Sequence, residues 1–517
     1  MTSIAQYYHQ RTKYDPDTIA KQNQGGLDWS KQPVPYKDYK VGVEVDLKPY
    51  LEKEPTAVDS DWRWWQRLSR LLIDSYGLTA KVMTFSGEPM YLRSAPSAGG
   101  LYPAEIYIVS RGTSLLEAGL YNYQVRTHSL WRFWDDYPWQ TLQESCFHHP
   151  ALETTQLAMV VTAVFERSAW RYKDRAYRRV FLDSGHLIGN IEVAGTLCDY
   201  RPHLIGGFAD EKVNDLLYLE GETESAIALL ALADLFQVDQ NLPRSRAALP
   251  SPIHSEVSKV SEGELLSYLH ENSVITPDAN FSQKEQSQKD ATPPADEDSP
   301  KPTADKYKFP FGTTVSTKTQ PIPWGDRLQK LEDTILTRRS TRHYIPAPIT
   351  RADLFALLDF TYHPSHYQPQ GFDATPDYFD LGLIETFVAA SNVEALESGC
   401  YYYAPQAQEL RQIRFNQFHE DLHFLCLGQK LGRDAGAVIF HTANLTAAVK
   451  KYGERAYRYL HMDAGHLGQR LNLAATRRNL GVSGIAGFFD DQVNELLSIP
   501  AEEAVLYITT VGRKPLR

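Results

Sequence analysis

Apolar residues along the chain fall into short continuous runs and into longer stretches with helical spacing. The runs Glu105–Ser110 and Leu157–Phe165 are rich in β-branched and apolar residues, which predicts buried strands. Residues 174–199 instead repeat apolar side chains on one helical face, which predicts a long helix. The positions on this face are Ala176, Val180, Leu187 and Ile191.

The second half of the chain repeats the same order of elements. Gly436–Phe440 and Ala504–Gly512 are predicted strands, and Ala456–Arg478 is a predicted long helix. Strands and helices mix without strict β-α-β alternation. The pattern therefore predicts an α+β fold, in which a mostly antiparallel sheet is wrapped by helices.

The two halves are related by a shift of 280 residues. The shift superimposes identical residues at widely separated points: Tyr177-Arg178 on Tyr457-Arg458, Gly185-His186-Leu187 on Gly465-His466-Leu467, Gly207-Phe208 on Gly487-Phe488, and Val213-Asn214 on Val493-Asn494. The period is far too long for a solenoid repeat. We infer an internal duplication of one globular unit.

The duplication suggests four regions. Residues 1–60 are rich in tyrosine, lysine and proline and are predicted to be an extended N-terminal arm. Residues 61–240 form the first copy and residues 306–517 the second. Residues 241–305 are predicted to be a flexible linker, because Ser282–Lys306 is charged, proline-broken and of low complexity.

Composition limits the possible functions. The chain has 517 residues, 42% of them hydrophobic and 12% aromatic, which is sufficient for sizeable cores. Without a signal-like or membrane-spanning apolar segment, a cytoplasmic protein is expected. The four scattered cysteines predict packed or surface thiols, without disulfides or metal ligation. A net charge of −11 disfavours general nucleic-acid binding, so an anionic ligand would need a local cluster of cations.

One such cluster is Arg338–Arg342, with the sequence RRSTR. Its guanidinium and hydroxyl groups suit the oxygens of a phosphate. A second pair of cations, Arg513 and Lys514, follows the last predicted strand. The position in the first copy that matches RRSTR is Leu51–Ala57, where acids and a proline would disfavour an anion. The anion site is therefore predicted in the second copy.

The segment Pro96–Pro103, PSAGGLYP, shows the opposite distribution. Its small residues would let a planar ligand approach the backbone and its N–H groups. The matching segment of the second copy, Pro376–Asp380, has bulky and acidic residues instead. The two copies have thus kept complementary parts, which predicts one composite site.

These segments resemble nitroreductase-fold flavoproteins, specifically the SagB-type dehydrogenases that oxidise azoline rings in ribosomally made peptides. The resemblance is carried by RRSTRHY, PSAGGLYPAEIYIV, GLYNY, KKYGERAYRYLHMDAGHLGQRLNLAA, IAGFFDDQVNELL and VGRK. The duplicated layout and the early YHQRTKY are most similar to the cyanobactin thiazoline oxidases.

The resemblance implies a nitroreductase-like fold that binds FMN. It places the FMN phosphate near Arg338, Arg339, Ser340, Arg342, Arg513 and Lys514. It places the flavin ring near Pro96, Ser97, Ala98 and Gly99, and near Gly484, Ile485, Ala486 and Gly487. We expect one FMN per chain. Because family sites form at dimer interfaces, pairing between chains of a homodimer stays open beside pairing within one chain.

The catalytic residues that the resemblance implies are Lys451 and Tyr452. A base must remove a proton from carbon when a thiazoline becomes a thiazole, and a lysine of lowered pKa can serve. The first copy has Arg171-Tyr172 at this place, and the sequence does not decide which pair approaches the flavin. His186 and His466 are predicted to be packing or hydrogen-bonding residues and not ligands, and no metal site is expected.

The resulting functional hypothesis is an FMN-dependent oxidase that converts thiazolines or oxazolines of a precursor peptide to azoles, with oxygen reoxidising the flavin. Contact with a leader region of that peptide is included in the hypothesis. Two alternatives stay open at this point. One is an NAD(P)H-dependent flavin reductase of nitroreductase type, and the other is a peptide-binding scaffold with a vestigial flavin site.

Overall fold

The computed structural model describes residues 2–19, 26–52, 59–84, 87–254, 256–279, 281, 305–310 and 312–515. The helices in this part of the chain are α1 (Ile4–Arg11), α2 (Ser60–Tyr76), α3 (Trp139–Ser145), α4 (Ala151–Thr154), α5 (Glu166–Tyr172), α6 (Ala176–Leu197), α7 (Asp210–Leu216), α8 (Leu265–Asn272), α9 (Gln329–Thr337), α10 (Arg351–Tyr362), α11 (His419–Leu425), α12 (Lys430–Arg433), α13 (Leu445–Tyr452), α14 (Ala456–Arg477) and α15 (Asp490–Leu497).

The strands of the first half are β1 (Val43–Asp46), β2 (Leu78–Met83), β3 (Pro89–Arg93), β4 (Ala104–Ser110), β5 (Gly119–Gln124), β6 (Ser129–Trp134), β7 (Leu157–Val164), β8 (Tyr200–Ile205) and β9 (Glu224–Asp234). Those of the second half are β10 (Thr314–Ser316), β11 (Ile349–Thr350), β12 (Glu385–Ala390), β13 (Val393–Glu394), β14 (Gly399–Ala404), β15 (Glu409–Phe415), β16 (Ala437–Asn444), β17 (Gly481–Ile485) and β18 (Glu503–Gly512).

Each half contains a seven-stranded sheet, and the two sheets have the same strand order. The first sheet runs β1-β6-β5-β4-β7-β9-β8 and the second runs β10-β15-β14-β12-β16-β18-β17. Every neighbouring pair in both sheets is antiparallel. The predicted α+β class and the duplication are therefore confirmed.

The long helices α6 and α14 are buried at the centre, where the two copies meet. A Cβ on Gly185 would lie 2.1 Å from the Met462 carbonyl oxygen, and one on Gly465 would lie 2.2 Å from that of Leu182. Only glycine allows so close a backbone contact. The glycines of the repeated Gly-His-Leu segments thus fix the crossing point of the copies.

The N-terminal 60 residues do more than form an extended arm, because they contain α1 and β1. Strand β1 extends the first sheet by pairing with β6. Helix α1 packs on the second copy, where Glu454 accepts hydrogen bonds from the Ile4 and Ala5 amides at 3.3 and 2.7 Å. Strand β1 thus joins the copy that follows it in sequence, whereas α1 crosses to the other copy.

The predicted linker contains the counterpart of that helix. Helix α8 packs on the first copy, and Asp174 accepts hydrogen bonds from the Gly263 and Leu266 amides at 2.6 and 3.2 Å. A shift of 261 residues relates the two segments, since HQRTKYDPD (9–17) matches HENSVITPD (270–278). The duplicated unit therefore includes a helix that precedes each copy and packs on the opposite one. Most of Ser282–Lys306 lies outside the described residues.

Two buried arginine–aspartate clusters join the copies. Asp490 of the second copy accepts from Arg175 at 2.8 Å and from Arg178 at 2.6 Å. Asp210 of the first copy accepts from Arg455 at 2.6 Å and from Arg458 at 2.8 Å. Although burial opposes its ionisation, Arg175 and Arg178 hold the pKa of Asp490 below its usual value.

The exchanged helices complete both clusters. Arg178 donates to the His9 carbonyl at 2.8 Å, and Arg458 donates to the His270 carbonyl at 2.9 Å. These histidines occupy matching positions of α1 and α8. The four cysteines lie in the interior as free thiols. Among the described residues, no helix has the length and apolarity needed to cross a membrane.

Asp490→Asn is expected to lower the free energy of unfolding by about 3–5 kcal/mol, because it leaves two buried guanidiniums without their carboxylate. Chemical denaturation of the purified protein measures this loss. The matched control is Asp491→Asn, which removes an exposed ion pair with Lys13 and should cost at most about 1 kcal/mol. Equal losses in the two variants would contradict the role given to the buried cluster.

Candidate functional site

A cleft between the two copies brings together many of the residues that the sequence singled out. The first copy contributes Pro96, Ser97, Ala98, Gly99, Arg179, Leu182, Asp183 and His186. The second copy contributes Ser340, Arg342, Asn472, Ser483, Gly484, Ala486 and Tyr507. The PSAGG turn of one copy thus faces the RRSTR segment of the other within a single chain.

One buried carboxylate fixes the conformation of the PSAGG turn. Asp183 accepts hydrogen bonds from the Ser97 hydroxyl at 2.6 Å and from the Ala98 amide at 3.0 Å. Gly99 has a φ of +68°, which glycine adopts at little cost. Burial raises the pKa of Asp183 to about 7, although the bonds from Ser97 and Ala98 and the charge of Arg179 oppose this rise.

The RRSTR segment is attached to both copies. The Thr341 amide donates to the Val482 carbonyl at 2.8 Å, which places Ser340 and Arg342 beside β17. Arg338 is 3% exposed and its Nε donates to the Ser94 carbonyl of the first copy at 2.9 Å. Burial lowers the pKa of Arg338 to about 10, and the charges of Arg339 and Arg342 act in the same direction.

Other residues of the expected phosphate site lie away from the cleft. Arg339 donates to the Thr79 carbonyl at 2.8 Å. Arg513 donates to the Pro348 carbonyl at 3.0 Å and lies 3.8 Å from Asp353. Lys514 follows Arg513 and is not among the residues that line the cleft. The described cleft thus contains Ser340 and Arg342, with Arg338 behind them.

The first three residues of the GIAG segment, Gly484 to Gly487, face alternately the cleft and the protein core. Gly484 and Ala486 line the cleft, whereas Ile485 points into the apolar core of the second copy. A Cβ on Gly484 would lie 1.7 Å from the Tyr507 hydroxyl, so a glycine is required there. Gly487 lies beside Arg179, whose Nη2 would be 3.5 Å from an added Cβ.

The structure does not bring Lys451 and Tyr452 to this cleft. Lys451 pairs with Asp380 at 2.5 Å, and the Tyr452 hydroxyl donates to the same carboxylate at 3.0 Å. Asp380 belongs to the segment that replaces PSAGG in the second copy. The expected catalytic pair therefore lies at the matching position of the other half, because each copy's helix packs beside its own turn.

The pair beside the PSAGG turn is Arg171-Tyr172 of α5. An added Cβ on Gly99 would lie 3.0 Å from the Tyr172 hydroxyl and 3.4 Å from Arg171 Nη1. Arg179, which lines the cleft, stacks over the Tyr172 ring at 3.9 Å. Burial raises the pKa of Tyr172, so its hydroxyl stays protonated near neutral pH and can donate a hydrogen bond.

The matching position of the other half is filled by aromatic side chains. Tyr378 stacks on His466 at 4.2 Å between ring centroids, and Phe379 stacks on Tyr459 at 4.7 Å. An added Cβ on Gly206, the counterpart of Ala486, would lie 2.3 Å from Phe379. Loss of the small residues at 376–380 has therefore closed this position against a planar ligand.

Sequence reasoning missed Arg179, Asp183 and Tyr507. Arg179 was detectable, because the 280-residue shift matches it with Tyr459 and so marks a difference between the open and the filled position. Asp183 was not, since Asp463 matches it and holds the other turn through the Phe379 amide at 3.0 Å. Tyr507 shares a hydrogen bond with His186 at 2.8 Å, and both side chains line the cleft.

The residues of the cleft fit a flavin nucleotide. Arg179 and Arg338 each have a buried Nη1 without a hydrogen-bond partner among the described residues, and Arg342 is exposed beside Ser340. These cations suit a phosphate or a carbonyl-rich ring edge. The small residues at 97–99 leave room for a planar ring against the backbone.

The chain belongs to the nitroreductase family, whose sequence profile matches residues 77–233 and 335–513. Members of this family typically bind FMN. Among the relatives, a protein from Methanocaldococcus jannaschii named as a nitroreductase is 32% identical over 185 residues, covering 36% of this chain and 91% of that protein.

The trifolitoxin-processing protein of Rhizobium leguminosarum bv. trifolii is 32% identical over 145 residues, or 27% of this chain. The match spans 39% of that protein's length. The crystal structure of a protein from Anabaena variabilis, assigned as a nitroreductase, covers 100% of both chains with 60% identity and a TM-score of 0.92. The duplicated architecture is thus shared over the full length of that protein.

Ionisation of Asp183 is expected to make folding stability depend on pH. Its folded pKa of about 7 lies above the unfolded value of about 3.9, so its contribution is complete below about pH 4 and is lost as the pH rises to about 7. Unfolding free energies across this range should fall more steeply in the wild type than in Asp183→Asn, by up to about 1.4 kcal/mol per pH unit. Parallel curves would contradict the raised pKa.

Proposed function

We propose that the chain binds one FMN in the cleft between its copies and uses it to oxidise azoline rings of a ribosomally made peptide. The observation that carries the proposal is the meeting of the PSAGG turn with Ser340 and Arg342 at one position, while the matching position is filled by Tyr378 and Phe379. One retained site and one closed site support a single flavin per chain.

Ser340 and Arg342 would hold the phosphate, with Arg338 adding positive charge from behind. Two of the three terminal oxygens of a phosphate can accept from one guanidinium fork, and a buried cation strengthens that attraction. Arg339, Arg513 and Lys514 do not line the cleft, so they would attract the phosphate only through their positive charge. The ring would lie against Ser97, Ala98 and Gly99 on one side and near Gly484 and Ala486 on the other.

FMN, when bound, supplies the acceptor for two electrons and a proton taken as a hydride equivalent, and oxygen regenerates it. The chain's own residues must place the azoline carbon and accept the second proton. The Ser97 hydroxyl donates a hydrogen bond to Asp183. When Ser97 Oγ takes up a proton, its own hydroxyl proton can therefore pass to the carboxylate. The Tyr172 hydroxyl can donate to the azoline nitrogen or to a neighbouring peptide carbonyl.

The choice of a peptide substrate is supported by the resemblance to azoline dehydrogenases and by the relative whose name refers to trifolitoxin processing. The relative from Methanocaldococcus jannaschii, named as a nitroreductase, supports a reductase that uses NAD(P)H instead. Both functions require the same flavin cleft. They differ in which compound reduces the flavin.

Anaerobic titration of the flavin-loaded protein separates these functions. Adding a thiazoline-containing peptide should bleach the flavin absorbance, and the peptide should lose about two mass units as hydrogen leaves the ring. Readmission of oxygen should restore the absorbance. Bleaching by NAD(P)H with no change in the peptide would contradict the proposal and favour the reductase.

Tyr172→Phe is expected to lower kcat for thiazoline oxidation by about tenfold, because it removes one hydrogen bond at the edge of the cleft. Flavin content should stay unchanged, as the ring of residue 172 still packs under Arg179. The matched control is Tyr452→Phe, which alters the equivalent residue at the filled position and should leave kcat within about twofold of the wild type. A larger effect of Tyr452→Phe would instead support Lys451 and Tyr452 as the catalytic pair.

Arg342→Ala is expected to weaken FMN binding by about 10- to 100-fold, because a charge-assisted hydrogen bond to phosphate contributes about 1.5–3 kcal/mol. Fluorescence titration of the protein with free FMN measures this change. Lys451→Ala serves as the control that removes a cation outside the cleft, and its FMN affinity should equal that of the wild type. Unchanged affinity in Arg342→Ala would place the phosphate elsewhere.

A further inference from the structure

A second cavity lies beneath the exchanged helix α8 and shares no lining residue with the cleft. Its volume is about 430 Å³, and it lies between α7, the start of α5 and the segment that follows α8. Apolar side chains form much of its wall: Phe165, Leu219, Leu266, Val274, Ile275 and Pro277. This size and lining are typical of a cavity that binds an organic group.

Four carboxylates add negative charge to the wall of this cavity: Glu211, Asp215, Glu222 and Glu271. All four are exposed, and none forms an ion pair with a cation in the described part of the chain. Asp210 also lines the cavity, but it is already neutralised by Arg455 and Arg458. The cavity therefore combines an apolar wall with unpaired negative charge.

The duplication supplies an internal comparison. The corresponding cavity of the second copy lies beneath α1, has a volume of about 250 Å³ and contains Lys13, Asp490 and Asp491 in its wall. There Lys13 pairs with Asp491 at 2.6 Å. The segment that follows α1 thus supplies a lysine to the acidic wall of the second copy's cavity.

The first copy lacks that lysine. The 261-residue shift that superimposes α1 on α8 matches Lys13 with Val274, and the 280-residue shift matches Asp491 with Glu211. The acidic residue is kept while its cation is replaced by valine. In the cavity beneath α8, Glu211 therefore has no counterpart of Lys13 to neutralise its charge.

We propose that the cavity of the first copy binds a peptide segment in which a lysine or arginine side chain is flanked by apolar residues. The cation would pair with Glu211 and its neighbouring carboxylates, as Lys13 pairs with Asp491. The aliphatic stem of the side chain would lie along Val274 and Ile275, since long cationic side chains bury their methylenes on apolar surface. Opposite charge and apolar burial together select a basic, apolar segment.

Fluorescence anisotropy tests this site with the labelled peptide acetyl-Ala-Leu-Lys-Leu-Ala and a matched peptide in which norleucine replaces lysine. We expect the lysine peptide to bind at least about tenfold more tightly, which corresponds to one favourable ion pair of about 1.4 kcal/mol, and to weaken with added salt. Equal affinity of the two peptides would overturn the proposal. The measurement requires no flavin turnover, so its result is independent of the function proposed for the cleft.

Two reciprocal variants locate the binding. Val274→Lys places a lysine where the second copy has one and should reduce binding of the lysine peptide at least about tenfold. Lys13→Val removes the lysine from the cavity beneath α1 and should raise the number of peptides bound per chain from one towards two. Glu211→Gln with Glu222→Gln provides a test without added bulk, and thermal unfolding verifies that each variant is folded. Wild-type binding by both the Val274→Lys variant and the double glutamine variant would overturn the assignment.

Discussion

The close crossing of α6 and α14 is the constraint on which the rest of the structure depends. Gly185 and Gly465 let the two backbones meet at this crossing. Around this crossing, Asp490 and Asp210 each bind two arginines of the other copy. Buried charges of this kind lose far more when one partner is removed than a surface pair does, so they fix the relative position of the copies.

Fixing the copies also fixes both positions at which a flavin could lie between them. A single-chain duplication can then lose parts at one position while the other is kept, because the two positions no longer share the same sequence. The Pro376–Asp380 segment shows the outcome, with Tyr378 and Phe379 stacked on residues of α14. The same segment also contacts the first copy, since Asp377 accepts a hydrogen bond from the Leu204 amide at 3.1 Å.

The exchanged helices α1 and α8 have likewise kept their contacts with the opposite copy, while a residue beside those contacts has changed. Both place a histidine carbonyl on an arginine of the opposite copy and both begin at a carboxylate of that copy, Glu454 for α1 and Asp174 for α8. What changed between them is a residue that the framework does not use, namely Lys13 against Val274. The two cavities beneath these helices have thereby acquired different charge.

The sequence alone predicted the sheet class, the two long helices and the composite character of the cleft. It did so because the apolar periodicity and the 280-residue shift can both be read directly from the amino-acid sequence. The sequence did not decide which copy's pair approaches the flavin. Lys451 and Tyr452 contact Asp380 beside the filled position, because each helix packs beside the turn of its own copy. The helices α1 and α8 were missed because their match rests on few residues and requires a different shift.

We infer that one of the two possible flavin positions has been kept and that the other has been filled. The most direct measurement is the molar ratio of FMN to chain in fully loaded protein, with the FMN quantified after denaturation. A ratio of one is expected, since Tyr378 and Phe379 occupy the second position. A ratio near two would contradict it.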